Sequence, residues 1–250
     1  MMVAVTRTRP PQVARGLVPG RKRLDEPDAT LHCVLLAPAP DWVAMDLATG
    51  ALVRGTPDFE AEVPALLAEP LAPVALTLAP LSDPWDPSRP EAVELAGAVE
   101  GSRPSRRSLR RLLAALARRD DEGGLLGSLG PSVSFVDLEA RRPSVVVLAP
   151  TGGRVRLVGE NPGVAHFLLG DHAHALPLAA GAAAWLKQGH VPTAAGRTAK
   201  RGRAAHARAL RTAVVGPGIE PTVPVYLVAG FDRPAGGQVR KVVLGVLPEL

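Results

Sequence analysis

Histidines and an acidic residue near position 170 form a cluster whose residue types and spacing suit metal binding. His172 and His174 are separated by one residue, so on a β-strand both side chains point to the same face, as in a His-x-His pair of metal ligands. The preceding strand and the turn supply two further candidates, so the cluster predicts, as one alternative, a metal-dependent hydrolase that uses His166, Asp171, His172 and His174. Because catalytic zinc needs three protein ligands held together, we favour the other interpretation, in which the histidines lie on a solvated strand face.

The residues that are candidate nucleophiles lack the partners that catalysis requires. Ser128 has Leu126 two residues before it, where a nucleophile elbow of the Gly-x-Ser-x-Gly type requires glycine. Cys33 directly follows His32, so on a strand their side chains face opposite sides and form no catalytic pair. The glycine-rich loops that hold nucleotide phosphates are also missing from the sequence. We therefore expect no catalytic residue and no bound cofactor, and we favour a non-enzymatic protein over the alternative of a metal-dependent hydrolase.

The strongest electrostatic feature is the segment 172–219, which contains no aspartate or glutamate. On a helix, the spacing of its arginines places several of them along one face. Gly196 and Gly202 indicate that the first part is a loop, which leads into a helix over residues 204–214 and brings cations to a helix N-terminus, where phosphates bind readily. The segment predicts a polyanion-binding site made of Arg197, Lys200, Arg201, Arg203, Arg208 and Arg211.

The aromatic content narrows the kind of polyanion. Only 3% of the residues are aromatic, with one tyrosine and four phenylalanines. Proteins that bind single strands rely on aromatic side chains that stack on bases, so a single-strand binder is disfavoured. Structured RNA or duplex nucleic acid, recognised by shape and charge, is the predicted partner. The acidic surface of another protein, docked by an assembly subunit, is the alternative.

Charge is distributed along the chain in blocks of alternating sign. Residues 1–24 hold six basic and no acidic side chains, residues 25–122 hold nine basic and seventeen acidic ones, and residues 123–250 hold fourteen basic and seven acidic ones. Such asymmetry is typical of proteins that bind nucleic acid or acidic partners. A second explanation stays open, because only four of the 29 basic residues are lysine. That bias is also what a GC-rich bacterial genome produces without selection for binding.

Composition also predicts the domain organisation. Residues 1–30 mix arginine with proline and glycine, which is typical of a flexible arm. An acidic α+β lobe over 31–122 and a basic α+β lobe over 123–250 follow, either as two domains or within one. With one cysteine, no apolar run of about 18 residues and no cleavable leader pattern, the sequence predicts a cytoplasmic protein that does not enter a membrane.

Short apolar or alternating runs between glycine and proline turns predict β-strands. The first are residues 31–37, a hairpin of 42–47 with 51–54, and 74–79. In the second half the predicted strands are 132–138, 144–149, 154–158, 164–169 and 172–178, followed by a terminal hairpin of 223–229 with 239–247.

Helices are predicted at several places between these strands. The clearest is 105–119, where Leu109, Leu112, Leu113 and Leu116 follow the helical period. Others are predicted over 91–99, 179–188 and 204–214, and a helix start is predicted at Thr56. The fold class expected from this pattern is α+β, with mainly antiparallel sheets and several packed helices.

Overall fold

The computed structural model describes residues 29–55, 69–79, 89–120, 124–138, 143–158, 161–188, 226–247 and 250. Over these residues the protein is mostly β-structure, with twelve strands and two α-helices. The expectation of several packed helices is therefore wrong. Residues 1–28 of the predicted flexible arm, the predicted helix start at Thr56 and the predicted helix over 204–214 lie outside the described residues. Thr30, the last residue assigned to the arm, is instead the first residue of a strand.

The first five strands close into a barrel. They are β1 (Thr30–Ala37), β2 (Val43–Asp46), β3 (Leu52–Gly55), β4 (Pro73–Ala79) and β5 (Ala92–Glu100), hydrogen-bonded in the order β1-β2-β3-β5-β4 with β4 returning to β1. β3 and β5 run parallel, and the other neighbours run antiparallel. Because β1 pairs with both β2 and β4, the sheet has no free edge.

The predicted helix over 91–99 is instead strand β5. Its alanines and glutamates favour a helix by local propensity. However, Val93 and Leu95 are buried while Glu94 and Ala96 are not, which is the period of a strand. β5 fills the gap between β3 and β4, so tertiary pairing overrides the helical propensity.

Seven further strands form two sheets. β6 (Ser132–Ser134), β12 (Gln238–Leu247), β11 (Tyr226–Phe231) and β7 (Val145–Leu148) make a four-stranded sheet in that order. β10 (His172–Pro177), β9 (Asn161–Leu169) and β8 (Gly152–Val158) make a three-stranded sheet. The predicted terminal hairpin is confirmed as β11 paired with β12. The strand predicted over 132–138 is shorter than expected, because Phe135–Asp137 turns into a short 3₁₀ helix.

The two α-helices confirm the helices predicted over 105–119 and 179–188. α1 (Arg106–Leu116) begins after Ser105, whose side-chain oxygen accepts a hydrogen bond from the backbone N–H of Ser108 at 3.1 Å. Leu109 and Leu113 are buried, as the periodicity requires. α2 (Ala180–Gln188) buries Trp185. No helix in the described ranges is long and apolar enough to cross a membrane.

One hydrophobic core joins the barrel to the four-stranded sheet across the predicted boundary at 122/123. It contains Leu36 and Val53 from the barrel together with Val145 and Val242 from the sheet. β1 shows the consequence: its first half alternates between exposed and buried residues, whereas every residue from Cys33 onward is buried. A continuous apolar strand is expected where both faces are covered. At this junction the backbone of β12 passes so close to β1 that a Cβ atom on Gly245 would collide with the carbonyl oxygen of Leu36.

We predict that Gly245→Ala lowers the free energy of unfolding by about 1–3 kcal/mol, because the added methyl group must push β12 away from β1. Urea unfolding followed by far-UV circular dichroism measures this. Gly97→Ala is the matched control, since a Cβ atom there meets nothing within 4 Å. Equal stability of the two variants would contradict the close packing of β1 and β12.

Candidate functional site

The histidine cluster is divided by the register of β9 and β10. His174 lies opposite Phe167 and His172 lies opposite Leu169, so both histidines share the face that carries these buried apolar residues. His166 lies opposite Ala175 and therefore points to the other face of the sheet.

The four predicted ligands are consequently not brought together. Asp171 is exposed in the turn between the strands, and His172 is exposed at the start of β10. His174 is half-buried and stacks on the ring of Phe167, with 5.2 Å between ring centroids and 22° between planes. Over the described residues, no group of three or more histidine, cysteine, aspartate or glutamate side chains is arranged to hold a metal ion.

The candidate nucleophiles occupy structural positions. The backbone carbonyl of Ser128 accepts a hydrogen bond from the Nζ of buried Lys241 at 2.5 Å. Cys33 is buried inside the barrel while His32 is exposed, which confirms that the two side chains face opposite sides. Burial raises the pKa of the Cys33 thiol, with a smaller contribution from Asp46 in the same direction, so the reactive thiolate is suppressed.

The predicted basic site at Arg197, Lys200, Arg201, Arg203, Arg208 and Arg211 lies outside the described residues. Another basic surface lies within the described residues, on α1. Arg106, Arg107, Arg110 and Arg111 are all exposed, and we refer to these four as the α1 arginine face. The leucines of α1 pack inward on the other side of the helix.

Side-chain carboxylates do not neutralise the α1 arginine face within the described part of the chain. The two ion pairs found there both belong to Asp41, far from α1 in sequence. Asp120, which follows α1, is exposed and forms no ion pair with a described residue. The one described partner on the face is the backbone oxygen of Leu250, to which Arg110 donates a hydrogen bond.

A buried charged cluster lies at one end of the barrel, and the sequence patterns did not predict it. Asp41 lies between β1 and β2, Arg54 is in β3, and Arg89 precedes β5. The Nη2 atoms of Arg54 and Arg89 lie 3.2 and 3.0 Å from the same oxygen, Oδ1 of Asp41. Burial is the main reason that the pKa of Arg54 falls to about 10, so the guanidinium group still keeps its charge at neutral pH. The one available signal was an arginine at the end of an otherwise apolar strand.

Glu91 ties this cluster to the four-stranded sheet. Its two carboxylate oxygens accept hydrogen bonds from the backbone N–H of Ser144 at 2.7 Å and from the Ser144 hydroxyl at 2.5 Å. Its backbone oxygen accepts a hydrogen bond from the N–H of Arg54 at 2.9 Å. Desolvation of the carboxylate raises the pKa of Glu91, and the bonds from Ser144 and the charge of Arg54 only partly oppose this effect.

Comparison with known proteins adds no further assignment. No protein-family model matches the chain, and no curated protein or solved structure matches it.

We predict that Glu91 makes the protein less stable as pH rises. The folded protein holds a proton on Glu91 that the unfolded chain releases near pH 4.3, so this contribution to stability is present at lower pH and is lost as pH rises from there through the raised pKa. Glu91→Gln removes the titration. The free energy of unfolding of wild type minus that of Glu91→Gln should therefore fall as the pH rises from 4 to 9.

Urea unfolding at several pH values tests this, with Glu100→Gln as the same chemical change at an exposed position of β5. A difference between wild type and Glu91→Gln that stays constant or grows with pH would contradict the prediction.

Proposed function

We propose that this protein is a non-enzymatic binding protein that contacts a polyanion, namely structured RNA or duplex nucleic acid, in the cytoplasm. The observation that carries the proposal is the α1 arginine face. Its four exposed cations form no ion pair with a described side-chain carboxylate, and only Arg110 contacts a described oxygen, that of Leu250. In this proposal the arginines and lysine between residues 197 and 211 extend the same binding function.

The arrangement of charge on α1 disfavours the helix on its own. Arg106 and Arg107 occupy the first turn, which contains no acidic residue, although the helix dipole favours anions there. Arg106 with Arg110, and Arg107 with Arg111, are like charges four residues apart, which repel each other. Arrangements that cost local stability without structural compensation are expected at functional surfaces. A bound polyanion relieves both unfavourable terms.

Chemistry favours a phosphate backbone as the polyanion. Arginine matches the geometry of phosphate oxygens and binds them through paired hydrogen bonds. Side chains four residues apart on a helix have Cβ atoms about 5–6 Å apart, so the face offers a row of separate contacts to successive phosphates. α1 has no aromatic residue to stack on an unpaired base, which favours a duplex or structured RNA over a single strand. Such contacts position a nucleic acid without reading its sequence.

The other hypotheses receive less support. The metal-dependent hydrolase requires His166 beside His172 and His174, and the register of β9 and β10 places it on the opposite face. An acidic protein would contact the same arginines, so the following experiment must distinguish a protein partner from a nucleic acid.

We predict that Arg107→Glu weakens nucleic-acid binding and stabilises the protein. Binding falls because one phosphate contact becomes a repulsion, and the slope of log K against log salt becomes shallower by about 0.9 on a duplex. Stability rises by about 0.5 kcal/mol at low salt, because the acidic residue suits the first turn of α1 and lies four residues before Arg111. Fluorescence anisotropy with a labelled RNA hairpin and a DNA duplex, together with thermal unfolding, measures the two effects.

Arg240→Glu is the matched control, since it makes the same charge change at an exposed position of β12. Equal weakening by both variants would indicate only a general charge effect. A different result would contradict the proposal: wild type binds neither probe at low salt, but an acidic protein is recovered with it after nuclease treatment. The partner would then be a protein rather than a nucleic acid.

A further inference from the structure

We propose that two copies of this chain pair through the free edge of β6, antiparallel to each other, about a two-fold axis at Val133. β6 lies at one end of the four-stranded sheet, beside β12, and no other described strand pairs with it. Such pairing joins the sheets of both copies into one continuous sheet. This inference is independent of the proposed function, because it uses none of the arginines of α1.

The hydrogen bonds that flank β6 show which of its backbone groups face β12. The carbonyl oxygen of Pro131 accepts a hydrogen bond from the N–H of Lys241 at 2.9 Å, and the N–H of Phe135 donates to the oxygen of Gly237 at 2.8 Å. Residues that hydrogen-bond to the neighbouring strand alternate along an antiparallel ladder with residues that do not. Val133, midway between these two bonds, therefore also directs its backbone groups at β12.

Ser132 and Ser134 consequently face the opposite way. Their backbone N–H and C=O groups point away from β12 and have no hydrogen-bond partner among the described residues. These groups lie symmetrically on either side of Val133. A second β6 running antiparallel therefore places its Ser134 opposite Ser132 and its Ser132 opposite Ser134, and each facing pair exchanges both of its hydrogen bonds. One register thus satisfies every outward group of both strands.

Exposed apolar side chains flank this edge at both ends. Leu129, just before β6, is 93% exposed, and Val136, just after it, is 87% exposed. Antiparallel pairing brings Leu129 to the end of the paired strands where the partner's Val136 lies, and the two-fold axis repeats this arrangement at the other end. Apolar side chains that are exposed beside one another are typical of interaction surfaces. The pairing removes both of them from water.

The charge distribution favours a second copy as the occupant. Residues 124–136 contain no charged side chain, whereas exposed sheet edges are normally protected by charges that prevent pairing. The chain carries a net charge of +5, so two copies repel each other overall, but no like charges meet along this segment. A two-fold axis also makes every contact occur twice. Because β6 is only three residues long, we expect a reversible dimer that forms as the protein concentration rises.

The test is sedimentation velocity of the full chain over a range of concentrations, after nuclease treatment and in high salt, so that a bound polyanion cannot link two copies. Ser134→Pro should weaken dimerisation by about tenfold or more, because it removes an outward N–H. The φ angle of Ser134 is −63°, which proline requires, so β6 stays paired with β12. Leu129→Lys should weaken dimerisation to a similar degree, because it replaces an apolar contact with a charge.

Val99→Lys is the matched control, since it makes the same kind of change at a 63% exposed position of β5 and should leave dimerisation unchanged. Leu129→Lys combined with Val136→Glu should dimerise more tightly than either single variant, because antiparallel pairing sets the new cation beside the partner's new anion. Circular dichroism checks that each variant is folded.

Wild type that stays monomeric at the highest soluble concentration would overturn the proposal. So would a dimer that Val99→Lys and Leu129→Lys weaken equally, or one that the combined variant does not restore. None of these results bears on nucleic-acid binding by the α1 arginine face, so the two proposals fail separately.

Discussion

Closure of the five-stranded barrel is the constraint on which the rest of the structure depends. An open sheet leaves backbone donors and acceptors unpaired at its edges, whereas β1 here pairs with both β2 and β4. Closure requires a strand between β3 and β4, and β5 occupies that place. The parallel pairing of β3 with β5 brings the end of β3 to the start of β5, and thereby sets Arg54 beside Glu91 and close to Arg89.

The barrel also organises the second half of the molecule. β12 packs against β1 at Gly245, where only a residue without a side chain fits. The hydrogen bonds from Ser144 to Glu91 join the start of β7 to the barrel at a second point. Apolar packing and a polar contact thus fix the same junction. Burial stabilises it without directionality, and the hydrogen bonds specify the orientation.

Arginine plays two different physical roles in this protein. On α1 it is exposed and arranged in rows, so its charge is available to a large anion. At the barrel end it is desolvated and shares one carboxylate, so its charge and its hydrogen bonds constrain what can sit beside it. Composition alone does not distinguish these roles, because burial, which decides between them, depends on contacts between distant segments.

Local patterns in the sequence determined the elements whose stability is local. The leucine spacing of α1, its cap at Ser105 and the β11–β12 hairpin all follow from periods and turns within a few residues. The tertiary structure decided β5, because pairing with two strands outweighed a helical propensity. It also decided the charged cluster at the barrel end, because Arg54 and Arg89 lie 13 and 48 residues after Asp41 in the chain. The separation of His166 from His174 likewise depends on strand register, which a one-residue shift would reverse.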